Sequence, residues 1–404
     1  MGLVVQKYGG SSIADAASMM KVAKRIGERQ KGGDQLVVVL SAQGDTTDKL
    51  IAKAKEINDN PSKRELDRLL STGEQISIAL MAMALESLGY KAVSLTARQV
   101  DIRTDASHGS ARIESICVDR IEEELKQGKI VIVAGFQGID QKEDVTTLGR
   151  GGSDTSAVAL AAALKADYCE IYTDVDGVYT ADPRIVKNAR KLDEVTYAEM
   201  LELASLGAKV LMNRSVELAD NYKVRLVVRS SKNNNEGTMI KESTGMEKTV
   251  IKGVTYDKDV ARITVIGVRD IPGIAHKIFK YLADANINVD VIVQSSGMDD
   301  TKDISFTVQR SQLSDSIKVI NDNLDSIGAK TVSFSSDVAK VSIVGAGMVN
   351  HPGVAATMFE ALAQAGINIK MISTSEIKVS CIIADDKVEK AVQVVHDKFK
   401  LGEK

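Results

Sequence analysis

The run Leu148-Gly149-Arg150-Gly151-Gly152-Ser153-Asp154 stands directly before an alanine-rich apolar stretch, Thr155 to Ala166. That stretch reads as a helix, so the run is a glycine-rich loop feeding a helix N-terminus. Adjacent glycines let a backbone approach a ligand closely, and a helix start contributes N–H donors and a partial positive charge. Arg150 adds a planar fork suited to a carboxylate or phosphate, and Asp154 adds an oxygen on the same loop. The chain opens with a second loop of this kind. Strand-like Leu3 to Tyr8 runs into Gly9-Gly10-Ser11-Ser12, and a helical pattern follows from Ile13. Two strand–loop–helix units of this build require an α/β architecture.

Strand and helix signals alternate through the first part of the chain. Gln35 to Leu40 is a continuous apolar run, as in a strand buried on both faces, and it ends in the polar turn Ser41 to Asp48. A helix is predicted near Ser71 to Ser87, with strands near Ala92–Leu95, Lys129–Ala134 and Tyr168–Thr173, and a closing strand at Lys223–Val228. The expected fold is a mostly parallel sheet sandwiched by helices, with ligand loops at the carboxyl ends of the strands. With one lysine-bearing and one arginine-plus-aspartate-bearing loop, the pattern suggests a kinase acting on a small anion.

Composition excludes several other classes. The chain has 404 residues, 44% apolar and 26% charged, with net charge −3. That length suits two or three domains, and the charge gives no reason to expect nucleic acid. No run of about 18 apolar residues is present to cross a membrane. Cys117, Cys169 and Cys381 are widely spaced and read as reduced cytosolic thiols, and the four histidines are scattered, so no metal site is expected.

Polar Ser230 to Gly237 marks a boundary, beyond which the sequence repeats. Ile263–Gly267, Pro272-Gly273-Ile274-Ala275 and Asn286-Ile287-Asn288 recur as Val341–Gly345, Pro352-Gly353-Val354-Ala355 and Gly366-Ile367-Asn368. Matching at three separated points indicates duplication. Each copy reads strand, helix, strand, strand, helix, a ferredoxin-like pattern. The first copy has a fourth strand at Thr331–Phe334 and the second has none, while the strand-like Thr249–Val254 has no partner. That segment is predicted to cross over and complete the second copy, interleaving the modules.

Taken singly, several motifs have a bland reading. The Lys7 loop lacks both the dinucleotide and the P-loop glycine patterns. A capped helix would explain Ser153 or Asp154 but not Gly151, Gly152 or Arg150. The loop Thr173 to Arg184 fails the calcium-loop pattern, and as a nucleotide site it would use Tyr179 for stacking and Arg184 for phosphate charge; a turn-rich connection fits equally well. Glu74, placed at a predicted helix start, serves either the helix dipole or a substrate ammonium group.

Together the segments Lys7–Ser12, Ser41–Asp48, Ser71–Glu74, Gly149–Asp154, Tyr172–Arg184 and Gly207–Leu211 resemble the aspartate kinases of the amino-acid kinase family, which carry two C-terminal ACT modules. The resemblance follows the family's order over nearly the whole chain. It implies an amino-acid kinase catalytic domain over residues 1–235, a linker over 236–248, a first ACT module over 249–338 and a second over 339–404. It implies ATP-dependent phosphorylation of the β-carboxylate of L-aspartate, the first step toward lysine, threonine and methionine, with Mg²⁺ held mainly by the phosphates. It further implies a cytoplasmic homo-oligomer joined through the ACT modules and inhibited by lysine, threonine or both.

By the same resemblance Lys7 and Asp154 are catalytic. Ser41, Thr47, Glu74, Arg150, Gly151, Gly152 and Ser153 form the aspartate pocket, with Arg150 on the α-carboxylate and Glu74 on the α-ammonium. Lys7, Tyr8, Gly9, Gly10, Thr173, Asp174, Tyr179, Arg184, Lys209 and Val210 line the ATP site. Asp270, Gly273, Ile274, Ala275, Asn288, Asp290 and Gln294 are effector contacts. The second copy has Asn350, His351 and Lys370 in the corresponding places, which weakens the case for two equal cationic-ligand sites. Glu74 with Arg150 favours a free α-amino acid over carbamate or UMP, and intact Lys7, Arg150 and Asp154 argue against a non-catalytic amino-acid sensor. Met246 reads as a linker methionine.

Overall fold

A computed structural model describes residues 2–207, 210–243, 250–296 and 301–403, with the side chains of residues 296, 349 and 350 excepted. Lys209, Met246 and the Asn350 side chain therefore lie outside the described residues. The chain divides into two compact units: Met1–Val178 with Lys191–Ala204 and Lys209–Met246, and Glu247–Lys404 with Tyr179–Arg190 and Ser205–Ala208.

The first unit is built on strands β1 (Leu3–Tyr8), β2 (Gln35–Leu40), β3 (Ala92–Leu95), β4 (Ile102–Thr104), β5 (Ile113–Ile116), β6 (Ile130–Ala134), β7 (Gln137–Ile139), β8 (Val145–Thr147), β9 (Tyr168–Thr173), β10 (Glu194–Thr196), β11 (Leu226–Ser230) and β12 (Thr238–Lys241). Its helices are α1 (Ala16–Lys31), α2 (Thr46–Ile57), α3 (Lys63–Ser87), α4 (Asp119–Lys126), α5 (Gly152–Ala163), α6 (Tyr197–Ser205) and α7 (Asn213–Tyr222). The main sheet has eight strands in the order β10-β12-β11-β9-β1-β2-β6-β3, and only β11 and β12 pair antiparallel. A smaller sheet, β5-β4-β7-β8, carries the strand that leads into the Arg150 loop.

Central position explains the composition of β1 and β2. Both are hydrogen-bonded on two sides and packed on two faces, so Leu36 to Leu40 are all fully buried. Val4 and Tyr8 turn toward Met19 and Ile26 of α1 and Ile78 and Met81 of α3, leaving Lys7 on the opposite face.

Among the boundaries that differ from the sequence expectation, two in this unit have a local cause. Helix α3 starts at Lys63, where Ser62 caps it through Glu65 N, so Glu74 lies in mid-helix and the dipole explanation for it fails. The expected closing strand at Lys223 starts instead at Leu226, because Lys223 caps α7 with φ 54°, and β12 and β10 lie beyond it.

The second unit contains β13 (Gly253–Arg269), α8 (Ile274–Asp284), β14 (Ile292–Ser296), β15 (Thr301–Val308), α9 (Leu313–Asn321), α10 (Leu324–Ile327), β16 (Thr331–Val344), α11 (Val354–Gln364), β17 (Met371–Thr374), β18 (Lys378–Ala384) and α12 (Val388–Lys398). They form one six-stranded sheet, β14-β15-β13-β16-β18-β17. The two repeats are interleaved within it. Residues 253–257 of β13 pair with 340–344 of β16 as the fourth strand of the second repeat, and residues 262–266 pair with 331–335 as part of the first. Each segment expected as a separate short strand is thus half of a long one; β13 begins at Gly253, not at Thr249, which lies outside the described residues. Val254 packs with Val341, Ile343 and Val379 of the second repeat, while Ile263 packs with Phe306 of the first.

Val254→Asp places a charge in the second repeat's core. Hydrogen exchange at Val379–Ile382 is expected to rise at least tenfold, about 1.4 kcal/mol of lost protection, with Ile304–Val308 changed less.

Candidate active site

Parallel strands deliver their carboxyl ends to one edge, where the Lys7, Ser41 and Arg150 loops meet and Glu74 bonds to Ala42. Lys7 leaves β1 on the face toward α5, and its Nζ lies 2.7 Å from Asp154 Oδ1 in the first turn of that helix. Both side chains are close to nine-tenths buried. This ion pair links the two glycine-rich loops.

Close packing fixes their glycines. A Cβ on Gly10 would collide with the Ala42 carbonyl at the end of β2, and one on Gly151 would collide with Met212. Gly151 also sits at φ 71° and is itself the N-cap of α5, with no side-chain cap; neither Ser153 nor Asp154 takes that role. Ser153 lies under Gly135 beside the same strand ends.

Glu74 is 2% exposed. Its Oε1 accepts from Ala42 N at 2.9 Å, next to Ser41, and its Oε2 is buried with no hydrogen-bond partner among the described residues. Burial pushes the carboxyl up to about 7, with the Ala42 N–H opposing. An unmatched buried oxygen costs free energy unless a donor reaches it.

The remaining expected residues are placed unevenly. Arg150 is exposed and Thr47 is half-buried. Thr173 donates to Asp174 Oδ1 at 3.0 Å, and Val210 is a half-buried turn residue. Tyr8 cannot present its ring to a nucleotide. It is fully buried, stacked on Tyr172 at 4.5 Å, with its hydroxyl donating to Gln6 Oε1 at 3.3 Å. Only its backbone can border the site, because alternation along β1 gives the open face to Lys7. Tyr179 and Arg184 fold with the second unit, where Arg184 pairs with Asp182 at 2.7 Å.

Three supports escaped sequence reasoning. Asp67 accepts from Thr147, Gly109 and His108. Arg214 donates to the carbonyls of Leu148 and Ala111. Glu170 gathers Gln6, Tyr172 and Arg29 behind β1 and β9. Asp67, two helical turns before Glu74, carried a faint periodic signal; Arg214 carried none, since its partners are backbone atoms far away in sequence.

In the second unit Gly273 (φ 89°) and Gly353 (φ 94°) start α8 and α11 in the same way, a conformational trace of the repeat. Asp270 pairs with Lys302 at 2.8 Å, and Asp290 pairs with the buried Lys340. Ile274 is buried beside Gly273, Ala275 is half-buried, and Asn288 and Gln294 are exposed. Lys370, the counterpart of Asp290, lies 3.6 Å from Asp337, and His351 Nδ1 is 2.7 Å from Gly347 O.

Because the folded state holds the Glu74 proton more tightly than the unfolded chain, Glu74 makes stability fall as pH rises from about 4.5 to about 7. Glu74→Gln is expected to remove that slope, worth up to about 3 kcal/mol, in denaturant titrations at pH 5 and pH 8. An unchanged slope would place the titration elsewhere.

The amino acid kinase family profile matches residues 2–230, and an ACT domain profile matches 263–324 and 341–399. The aspartokinase of Mycolicibacterium smegmatis is 52% identical over 408 residues, covering 100% of this chain and 97% of that one. Escherichia coli aspartokinase III, solved with aspartate and ADP in its R-state, superposes with TM-score 0.79 at 26% identity over 98% of this chain and 99% of that one. Its T-state complex with lysine and aspartate gives 0.78 at the same identity and the same coverage of this chain. With its paired glycine loops and its two ferredoxin-like repeats, the chain belongs to the amino acid kinase family, among the aspartokinases.

Proposed function

We propose that the protein transfers the γ-phosphoryl group of ATP to the β-carboxylate of L-aspartate, forming 4-phospho-L-aspartate, as the first step toward lysine, threonine and methionine in the cytoplasm. The observation that carries this reading is Glu74 Oε2, a buried oxygen without a donor among the described residues, on a carboxylate bonded to Ala42, whose carbonyl packs against Gly10 of the Lys7 loop. An α-ammonium group supplies what that oxygen lacks, and Arg150 at the mouth of the loop takes the α-carboxylate. The aspartate- and ADP-bound relative supports both ligands. The catalytic part is read as residues 1–235 together with β12 (Thr238–Lys241), which the main sheet takes from within the expected linker 236–248, followed by the ACT modules over 249–338 and 339–404.

The nucleophile is a carboxylate with an ordinary pKa of about 3.9 and is already ionised at neutral pH. No general base is needed. The work left is to align two anions and neutralise the charge between them. Lys7 contributes a positive charge at the phosphoryl group, the backbone of Gly9, Gly10 and Gly151 to Ser153 contributes donors, and Asp154 holds Lys7 in place. Ser41 and Thr47 complete the aspartate pocket. By the family resemblance Thr173, Asp174, Tyr179, Arg184, Lys209 and Val210 are read as the residues that serve the nucleotide. Mg²⁺ would be held mainly by the ATP phosphates, where it would screen their charge.

Feedback is assigned to the ACT modules, through which the protein is read as a homo-oligomer. Lysine, threonine or both would bind around Asp270, Gly273, Ile274, Ala275, Asn288, Asp290 and Gln294, with the Gly273 start of α8 taking the effector carboxylate.

Hydroxylamine trapping of the acyl phosphate tests the reading: hydroxamate is expected with aspartate and not with glutamate, and its suppression by lysine or threonine identifies the effector. Lys7→Ala is expected to lower kcat by two or more orders of magnitude with the fold retained; near-normal turnover would refute its role. The aspartate KM is expected to rise as pH falls below about 7, where Glu74 takes up its proton, while the ATP KM changes less. Asp270→Ala should relieve inhibition and spare catalysis; undiminished inhibition would move the effector site elsewhere.

A further inference from the structure

We propose that Asp67 and Arg214 are positioning residues that set the span between Glu74 and the Arg150 loop, and through it the preference for aspartate over the longer glutamate. The proposal rests on the assignment above of Glu74 and Arg150 as the two ends of the amino-acid clamp.

Asp67 is 1% exposed on α3, on the same rigid helix as Glu74. Its carboxylate receives four donors. Thr147 contributes its hydroxyl at 2.6 Å and its N–H at 3.0 Å, Gly109 its N–H at 2.9 Å, and His108 its Nδ1 at 3.0 Å. Thr147 ends β8 and stands three residues before Arg150. The helix that carries one end of the clamp is thereby bonded to the strand that carries the other.

Arg214, from α7, completes the frame. Its Nη1 donates to Leu148 O at 2.8 Å and its Nη2 to Ala111 O at 2.7 Å, and Ala111 N donates to Thr147 O at 2.9 Å. Asp67 therefore takes the donors at the loop's entry, and Arg214 takes the acceptors. A carboxylate and a guanidinium, each with several bonds, fix direction as well as distance, which apolar packing alone does less sharply. Neither group need touch substrate. A shift of the loop relative to α3 changes the fit of a substrate whose two ends are held, and small misplacements are costly in rate.

Asp67→Asn keeps the shape but turns one accepting oxygen into a donor facing donors. It is expected to raise the aspartate KM about tenfold or more, to leave the ATP KM within about twofold, and to narrow the aspartate-to-glutamate ratio of kcat/KM. Arg214→Gln should do the same. Thr147→Val, which removes a single hydroxyl, should reproduce part of the effect, and Thr147→Ser should restore it; this pair carries the test if Asp67→Asn does not fold. A merely structural role would lower Tm and the yield of active protein with both KM values and the selectivity ratio unchanged, and that result would overturn the proposal. An unaltered protein inactive on aspartate removes the functional reading and this one together; an active protein whose variants keep the wild-type aspartate KM and ratio removes this one alone.

Discussion

The contact between Lys7 and Asp154 is the interaction on which the rest of the first unit is organised. It joins the loop after the central strand to the helix after the arginine loop, two segments far apart in sequence, and it does so where the surroundings exclude most water. In such surroundings an ion pair is stable only when both partners stay, because removing one strands the other. That condition explains the close packing around it. Gly10 must lie against the end of β2, and Gly151 must take a left-handed conformation under Met212, so that both loops approach without a side chain between them.

A second constraint lies on α3. Glu74 is buried in mid-helix with one oxygen satisfied by Ala42 and the other unmatched among the described residues. A protein that needed only a stable core would place an apolar residue there. The raised carboxyl is a cost to the empty fold that a cationic ligand group would offset. Elsewhere in this unit Asp67 and Arg214 hold the loops on either side of β8, and Glu170 ties Gln6, Tyr172 and Arg29 behind the sheet.

The second unit solves a different problem. Two duplicated modules share the long strands β13 and β16, so each repeat lends the other a strand and neither has a complete sheet alone. The carboxylates expected to meet an effector already hold partners, Asp270 with Lys302 and Asp290 with Lys340. An incoming ammonium group would therefore exchange one cation for another in this unit.

Much of this was legible along the chain. The alternation of apolar runs and glycine loops determined the parallel sheet and the edge at which the glycine loops gather, because a strand buried on both faces must be continuously apolar and must end in a loop. The repeat and the unpartnered strand before it determined the interleaving, since a ferredoxin-like unit short of one strand needs that strand from elsewhere. The family resemblance supplied residue roles that no periodicity could carry. The tertiary structure alone decided that Glu74 lies in mid-helix with an unmatched oxygen, that Tyr8 turns its ring into the core, and that Arg184 and Tyr179 fold with the second unit. It alone revealed Asp67 and Arg214, whose partners are backbone groups and residues tens of positions away. The physical reason is that periodicity records which face of an element is buried, whereas the direction of a hydrogen bond or the pairing of a charge depends on which elements the fold brings together.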